Sequence, residues 1–318
     1  MKNTGRSEKM IFTVTLNPAV DREMTVDTIA FDTVLRASDW RVDCGGKGFN
    51  VARMLKSLGV SSVALGFAAG KSGEMLDDKL QSLGIETDFV WVEGETRTNV
   101  SIVSSESGQY IKVNEPGPTI TGPDLAQLAK TIGDRARAGD WWVLAGSLPP
   151  GVPSTYYTEL INIIQSVGAK VFLDTSDEAL RQNCAAKPLL VKPNDEEAHQ
   201  LTGLPVDTKE EIAAVGAAIS VMGPASVIIS LGKEGAVLVD DGRAWLATSP
   251  KIVAANPIGA GDSMVAGVVW GLSQGDSMRD ALCKGIACGA ATASQKGTSV
   301  GSLEQVNQLL TEVQLQEV

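Results

Sequence analysis

The sequence predicts an α/β fold in which a central, mostly parallel β-sheet is flanked by helices and carries a small β-strand lid. Short apolar runs alternate with amphipathic segments along most of the chain, which is typical of a parallel sheet covered on both faces. Residues 18–43 and 88–115 instead show strand-like alternation, as in TNVSIVSS and QYIKVN, without helices between. We expect these two stretches to form an antiparallel lid over the carboxyl ends of the strands, where open α/β sheets bind ligands.

Apolar segments predict the strands of the main sheet at 10–16, 62–67, 141–146, 170–175, 188–193 and 226–232. Between the strands, residues 154–167 form a helical stripe that Ser154 can cap and Gly168 ends. A second helix is predicted over 208–222, where Thr208 and Glu211 have capping-box spacing. The last fifty residues are predicted to be helical. Residues 1–9, MKNTGRSEK, are expected to be a disordered leader, so that the domain spans 10–318.

Composition narrows the functional class. The 318 residues carry 27 basic and 38 acidic side chains, a net charge of −11, which argues against nucleic acid as a partner because nucleic-acid sites need a basic face. A single histidine, His199, argues against a histidine metal cluster or a Ser/His/Asp triad. Four cysteines without a CxxC pair are typical of a reducing compartment. No apolar run approaches membrane-spanning length, so we expect a cytoplasmic protein without a membrane partner.

A Gly-rich turn, ANPIGAGDSM at 255–264, precedes a strongly apolar helical stretch and places Asp262 in its first turn. Helix N-termini suit anions, so a carboxylate there competes with a phosphate unless it has a task of its own. Asp262 could be a helix cap that contributes up to about 1 kcal/mol. It could instead be the base that takes a proton from an attacking hydroxyl while the turn holds a phosphoryl group. The spacing alone leaves both interpretations open.

A second Gly-rich turn, CGGKGFNVARMLKSLG at 44–59, also enters a helix. It could be a hinge, but Lys47 lies among the glycines and Asn50 in the first helical turn. Glycine lets the backbone approach a ligand closely, and these two side chains offer donors to phosphate or hydroxyl groups. Ligand binding is therefore the favoured interpretation.

Two further turns follow predicted strands. In LVKPNDEEAHQL (190–201), Asn194 and Glu197 have capping-box spacing, although Glu197 near a phosphate could also organise Mg²⁺ through water. SLGKEGA (230–236) is a tight turn whose place after a parallel strand suits nucleotide contact. Taken singly, Arg97, Lys112 and Ser147 are more typical of surface residues than of ligand contacts.

Together these motifs resemble the ribokinase-like (PfkB) family of carbohydrate kinases from about residue 10 to the C-terminus. The resemblance rests on segments that occur in family order: TLNPAVD, GGKGFNVAR, TRTNV, AGSLPPGV, VKPNDEE, SLGKEGA and PIGAGDSMVAG. TLNPAVD, GGKG and VNEPGP (113–118) are most similar to the branch that acts on sugar phosphates. The segment FDTVLRAS (31–38) departs from that branch, whose members often carry a polar or basic residue near Val34 and Leu35.

The resemblance implies ATP and Mg²⁺ as cofactors and assigns roles residue by residue. Asp262 would be the catalytic base, and Gly259, Ala260 and Gly261 would form the anion hole for the γ-phosphate. Sugar hydroxyls and nearby backbone would be held by Asp21, Gly45, Gly46, Lys47 and Asn50. Arg97 and Ser147 would hold the phosphate already present on the substrate. The side that binds ATP and metal would comprise Lys192, Asn194, Glu197, Ser230, Gly232 and Gly235.

The implied reaction is phosphorylation of a ketohexose phosphate, with fructose 1-phosphate the expected substrate. Tagatose 6-phosphate and fructose 6-phosphate are alternatives, since side-chain identity does not show which end of the sugar carries the first phosphate. A regulator that binds sugar phosphate or nucleotide without turnover is an alternative from another class. Lid strands have unpaired edges and the family often dimerises through them, so a homodimer is expected.

Overall fold

The computed structural model describes residues 9–295, 297 and 299–318, so the predicted leader lies outside the described residues apart from Lys9. The strands are β1 Ile11–Thr15, β2 Ala19–Val26, β3 Asp39–Gly45, β4 Ser62–Ala68, β5 Glu86–Trp91, β6 Arg97–Ser104, β7 Tyr110–Asn114, β8 Trp141–Ala145, β9 Lys170–Asp174, β10 Leu190–Val191, β11 Ser226–Ser230, β12 Ala236–Asp240, β13 Arg243–Thr248 and β14 Gln314–Glu317. The α-helices are α1 Lys47–Ser57, α2 Gly70–Ser82, α3 Gly122–Arg135, α4 Tyr156–Ser166, α5 Asp177–Asn183, α6 Asp195–Thr202, α7 Lys209–Val221, α8 Ala260–Gln274, α9 Met278–Ala293 and α10 Leu303–Leu310.

The main sheet confirms the predicted α/β class. Within the described residues it has ten strands in the order β14-β13-β12-β11-β10-β9-β8-β1-β4-β5. From β5 to β11 all neighbours pair in parallel, and β12, β13 and β14 add an antiparallel edge. The short final strand β14 is a departure from the helical C-terminus that the sequence predicts. Its register against β13 places Leu315 beside Ala247.

Alternate residues of the central strands pack against helices on opposite faces of the sheet. In β8, Trp142 and Leu144 belong to the hydrophobic cluster that includes residues of α3, α4 and α7, whereas Trp141 and Val143 belong to the cluster that includes residues of α1, α8 and α9. Strand side chains point to the two faces in turn, so apolar residues at every position require helices on both sides. No helix among the described residues is long and apolar enough to cross a membrane.

The lid is a separate four-stranded sheet in the order β3-β2-β6-β7. Its two outer pairs are antiparallel, but β2 and β6 pair in parallel, so the prediction of a wholly antiparallel lid is wrong. Both central strands leave the same edge of the main sheet, β2 after β1 and β6 after β5, and therefore run in the same direction. Residues 88–91 are part of β5 and pair with β4 of the main sheet, so the second lid segment begins later than predicted.

The two predicted helices are present, with one corrected cap. α7 begins after Thr208, which forms the predicted capping box with Glu211. α4 begins after Thr155 rather than Ser154, because the Ser154 hydroxyl donates instead to Gln182 Oε1 at 2.7 Å. The two Gly-rich turns identified in the sequence each lead into a helix, the first into α1 and the second into α8.

Candidate active site

The Gly-rich turn before α8 places Asp262 in the first turn of that helix. Gly259 is the N-cap residue with a φ of 79°, which glycine adopts without steric cost. Only 7% of Asp262 is exposed. The carboxylate is therefore buried and close to the positive end of the helix dipole.

One of the three amides expected to form the anion hole is engaged within the turn. The N–H of Ala260 donates to Pro257 O at 3.2 Å, so in this conformation it does not face an anion. Gly261 lies in the first turn, where amides lack acceptors inside the helix. A methyl group added to Gly261 would lie 3.6 Å from Lys192 Nζ. An anion at this turn would therefore meet first-turn amides and the Lys192 ammonium together.

Helix α1 brings two further predicted residues to Asp262. Its N-cap is Gly46, with a φ of 134°, and the helix begins at Lys47. Lys47 and Asn50 are three residues apart and so share one helix face. Asn50 Nδ2 donates to Asp262 Oδ2 at 2.8 Å, and Lys47 Nζ lies 4.0 Å from Asp262 Oδ1. The amide fixes one carboxylate oxygen and leaves the other beside the ammonium.

Asp174, the last residue of β9, lies between the two lysines of the site. Its Oδ1 is 3.0 Å from Lys47 Nζ and 3.7 Å from Lys192 Nζ. Asp174 is 2% exposed and Lys192 6%. Burial opposes ionisation of Asp174, but the ammonium groups of Lys192 and Lys47 outweigh burial and hold its pKa below the usual range. Two lysines and two aspartates thus form a compact group whose formal charges cancel.

Burial acts differently on Asp262 and Lys47. Burial is the main cause that raises the pKa of Asp262, and the negative charge of Asp174 adds to it, while Lys47 and the Asn50 hydrogen bond act in the opposite direction. For Lys47, burial alone would lower the pKa, but Asp174 and Asp262 raise it above its ordinary value. The site therefore combines a carboxylate with raised proton affinity and a lysine that stays charged, a pairing suited to a base beside a phosphate.

The lid supplies Asp21 to the other side of α1. Asn99 Nδ2 donates to Asp21 Oδ1 at 2.8 Å, and a methyl group added to Gly45 would lie 2.5 Å from the Asp21 carboxyl carbon. Burial is the largest cause of the raised pKa of Asp21, opposed by the Asn99 hydrogen bond. Gly45 is a glycine because the carboxylate occupies the space of a side chain. Asp21 thus lies against Gly45, directly before Gly46 and the first turn of α1 that carries Lys47 and Asn50.

The contacts of Arg97 and Ser147 link them to the site less directly than those of Asp21, Lys47 and Asn50. The guanidinium of Arg97 donates to Glu115 O at 3.2 Å and to Asn17 O at 3.0 Å, which ties the start of β6 to the segments entering and leaving the lid. Its Nε is buried and has no hydrogen-bond partner among the described residues. Ser147 is exposed two residues after β8. Arg97 lies close enough to Asp21 to affect its pKa, whereas within the described part of the chain Ser147 makes no comparable contact with the site residues.

A cavity of about 650 Å³ lies on the far side of the α8 N-terminus, within the range of small-molecule sites. Ser230, Gly232, Ala260 and Gly261 line it, together with apolar residues of α8 and α9. Asn194 pairs with Ser230 in a parallel bridge and so lies nearby. Gly235 is not among the residues that line this cavity. It has a φ of 109°, and a methyl group added to it would collide with Ala247 O. Its glycine is required by the backbone of the β11–β12 turn.

The expected metal-side residue Glu197 forms the capping box of α6. Its Oε2 accepts the Asn194 N–H at 2.8 Å, and Asn194 Oδ1 accepts the Glu197 N–H at 2.7 Å. Glu197 is still close enough to Lys47 to raise the pKa of that lysine slightly. Across the residues that the structure describes, no group of three or more His, Cys, Asp or Glu side chains is arranged to hold a metal ion.

Sequence reasoning missed Asp174 and Asn99. Asp174 follows the apolar residues VFL at the end of a predicted strand, and an acid at the carboxyl edge of a parallel sheet is a signal that could have identified it. Asn99 lies in the TRTNV segment but was not singled out. Its role depends on the pairing of β6 with β2, in which Asn99 lies beside Asp21.

The chain is similar to known carbohydrate kinases over nearly its whole length. The model of the pfkB family carbohydrate kinases matches residues 14–305. A 1-phosphofructokinase from Bacillus subtilis is 37% identical over 96% of this chain and 99% of the relative. A tagatose-6-phosphate kinase from Staphylococcus epidermidis is 33% identical over 97% of this chain and 100% of the relative.

A solved relative matches the fold. Phosphofructokinase-2 from Escherichia coli, in complex with potassium, superimposes with a TM-score of 0.91 at 29% identity, covering 96% of this chain and 99% of that chain. A tetrameric inhibited form of the same enzyme gives a TM-score of 0.89 at 29% identity, with the same coverage. The predicted ribokinase-like fold and kinase class are thereby confirmed: the chain belongs to the pfkB family of carbohydrate kinases.

Proposed function

We propose that this kinase transfers the γ-phosphoryl group of ATP to fructose 1-phosphate, giving fructose 1,6-bisphosphate and ADP. The observation that carries the proposal is Asp262, a buried carboxylate that Asn50 fixes at 2.8 Å. Asp262 lies in the helix turn that also borders the 650 Å³ cavity. A base next to an anion-binding turn is what phosphoryl transfer to a hydroxyl requires. The similarity to the Bacillus subtilis 1-phosphofructokinase supports the choice of sugar phosphate.

In the proposed reaction Asp262 accepts the proton of the substrate's free primary hydroxyl. The oxygen bonds to the γ-phosphorus as the bond from that phosphorus to the bridging oxygen breaks, and ADP leaves. The oxygen of Asp262 beside Lys47 is the one free of the Asn50 amide, so it is the proton acceptor in this arrangement. First-turn amides of α8 and the ammonium of Lys192 face the transferring group and stabilise its charge.

The sugar would bind between α1 and the lid. Several buried polar atoms there have no partner among the described residues: Asn17 Oδ1, Arg97 Nε and Asn99 Oδ1. Buried polar groups are normally satisfied, and a polyhydroxylated phosphate offers both donors and acceptors. We assign hydroxyl contacts to Asp21, Lys47 and Asn50 and the existing phosphate to Arg97 and Ser147. Lid closure over this site would exclude water and limit hydrolysis of ATP.

A divalent cation accompanies ATP in kinases, and we propose Mg²⁺. No protein cage for it is formed by the described residues, which fits Mg²⁺ because it keeps several waters and binds through substrate phosphates plus one or two carboxylates. Glu197 is the candidate carboxylate, acting through water at the start of α6. When bound with ATP, the ion would neutralise charge on the β- and γ-phosphates.

We further propose a homodimer formed through the outer face of the lid. Register places Trp40, Met24, Ile102 and Ile111 side by side, and Arg22, Val100 and Val113 lie in the next row of the same face. Val42 also belongs to that row but packs against the cluster that contains Val20 and Phe49. Trp40 is 68% exposed and Val113 60%. The opposite face carries Asp21 and Asn99. Exposed apolar side chains clustered on one face are typical of an interaction surface, and a second copy of this chain is the partner we propose.

Sedimentation tests the dimer. Val113→Asp places a charge on the outer face of the lid, and Val221→Asp at the end of α7, where the valine is also exposed, is a matched control. We expect the first variant to sediment as a monomer and the second to behave as the wild type. A monomeric wild-type protein, or a Val113→Asp variant that stays dimeric, would contradict the assignment.

A cytoplasmic location is part of the proposal. The four thiols Cys44, Cys184, Cys283 and Cys288 are unpaired, as is usual in a reducing compartment. Three of them are buried, and burial raises the pKa of Cys44 to about 11. Burial therefore makes these three thiols poor nucleophiles.

The substrate is tested by a coupled ADP-release assay with Mg-ATP and fructose 1-phosphate, fructose 6-phosphate or tagatose 6-phosphate in parallel. We expect kcat/KM to be at least about tenfold higher for fructose 1-phosphate, the scale of one modest change in binding free energy. A preference for a 6-phosphate would leave the proposed mechanism unchanged but would show that the substrate assignment is wrong. The exposed segment 31–38, which departs from the sugar-phosphate branch, would then be the first place to look for the cause. If calorimetry detects binding of a sugar phosphate but the assay detects no turnover, the protein is a regulator and not an enzyme.

A further inference from the structure

Asp174 contacts both lysines of the site, but the proposed reaction gives it no role. Its Oδ1 lies within 4 Å of two ammonium groups, Lys47 Nζ at 3.0 Å and Lys192 Nζ at 3.7 Å. Its Oδ2 is buried and has no hydrogen-bond partner among the described residues. A buried carboxylate with one unsatisfied oxygen is costly to fold, so its place in the site requires an explanation beyond stability.

The two lysines come from opposite sides of the site. Lys47 begins α1, which carries the sugar-side residues, and Lys192 follows β10 beside Gly261 of the α8 turn. Asp262 lies near both lysines: Lys47 Nζ is 4.0 Å from its Oδ1, and Lys192 is close enough to lower its pKa. A lysine side chain has four flexible bonds, and both ammonium groups would be drawn to the base if nothing else held them.

We propose that Asp174 is a positioning residue that ties Lys47 and Lys192 to one carboxylate oxygen and thereby keeps both ammonium groups from closing on Asp262. The tie leaves the base open to the substrate hydroxyl and holds one lysine toward each of the two anionic substrates. It also balances the charge of the site, since two lysines face two aspartates. The inference rests on the base role proposed for Asp262.

The test compares Asp174→Asn, Asp174→Glu and the control Asp140→Asn in the coupled assay. Asp140 is also a buried carboxylate, 1% exposed, but it lies just before β8, at the opposite edge of the sheet, and accepts the Met10 and Arg137 amides. A carboxylate displaced by one methylene in Asp174→Glu, or neutralised in Asp174→Asn, should lower kcat by about 10²-fold, as misplacements of 1 Å can. Asp140→Asn should change only thermal stability.

The pH profile separates positioning from a merely structural role. The groups facing Asp262 are Lys47, Lys192, Asp174 and the Asn50 amide, and Tyr157 lies on the other side of Asp174. Removing the charge of Asp174 favours the ionised carboxylate of Asp262 and disfavours the charged form of Lys47. Both limbs of the kcat/KM profile should therefore move to lower pH in Asp174→Asn. In Asp174→Glu, which keeps the charge, they should stay in place while kcat falls.

Unchanged kcat and unchanged limbs in Asp174→Asn would overturn the inference, as would equal losses in Asp140→Asn. Asp262→Asn is measured in the same series. If that variant turns over normally, the base role fails. If it is inactive while the Asp174 variants behave as wild type, only the positioning role fails.

Discussion

Replacing Gly45 by alanine should displace the Asp21 carboxylate without touching Asp262, the proposed base. The new methyl group would lie 2.5 Å from the Asp21 Cγ and Oδ2 atoms and 2.6 Å from Oδ1, where ordinary contacts need about 3.5 Å. The carboxylate must therefore retreat by about 1 Å. Displacement of a positioning group on this scale costs about 10²-fold in rate, or about 2.7 kcal/mol of transition-state stabilisation.

Steady-state kinetics in the coupled assay measures the effect. We expect kcat/KM for the sugar phosphate to fall about 10²-fold while the KM for ATP stays near its wild-type value, because Asp21 is proposed to contact the sugar and not the nucleotide. Gly122→Ala is the matched control, since a methyl group at that first residue of α3 meets nothing within 4 Å. A Gly45→Ala enzyme whose kcat/KM for the sugar phosphate stays within about threefold of the wild-type value would refute the assignment of Asp21. An equal rise in the KM for the sugar phosphate and the KM for ATP would also refute it.

Three further predictions concern the base and the nucleotide-side turn. Asn50→Leu removes a hydrogen bond that lowers the pKa of Asp262, so the acidic limb of kcat/KM should move to higher pH; a limb that stays in place would contradict this. Gly235→Ala should lower the melting temperature by several degrees, because its methyl group would collide with Ala247 O at a φ of 109°; an unchanged melting curve would show that the turn can relax. Asp262→Asn should melt at or above the wild-type temperature at pH 7. Burial raises the folded-state pKa of Asp262, so its contribution to stability is present at low pH and lost as pH rises through that pKa; a lower melting temperature would contradict the reasoning.

Local rules predicted the parts of this site that depend on local sequence. The glycines at 45, 46, 259 and 261 open helices where expected, and the capping boxes of α6 and α7 form as their spacing predicts. The sequence allows two interpretations of Glu197, as a helix cap or as a residue near the metal. The structure shows why both arise, because the carboxylate that caps α6 also lies near Lys47. Such features involve residues within one or two turns, so periodicity and turn chemistry are sufficient to identify them.

Features that depend on distant segments were not predictable in this way. Asp174 meets Lys47 across 127 positions of the chain, and only the order of β9 and β1 in the sheet brings them together. The parallel pairing of β2 and β6 follows from where both strands leave the main sheet, which alternation cannot show. A family resemblance supplied several site residues that spacing alone left open.

The central claim is that Asp262 is the base of a sugar-phosphate kinase, and the most direct test is the turnover of Asp262→Asn with Mg-ATP and fructose 1-phosphate. The neutral amide preserves the size of the side chain, so binding of the sugar phosphate measured by calorimetry should remain. We predict that kcat falls by about 10²–10⁴-fold, the usual contribution of a general base. Turnover close to the wild-type rate would contradict the account.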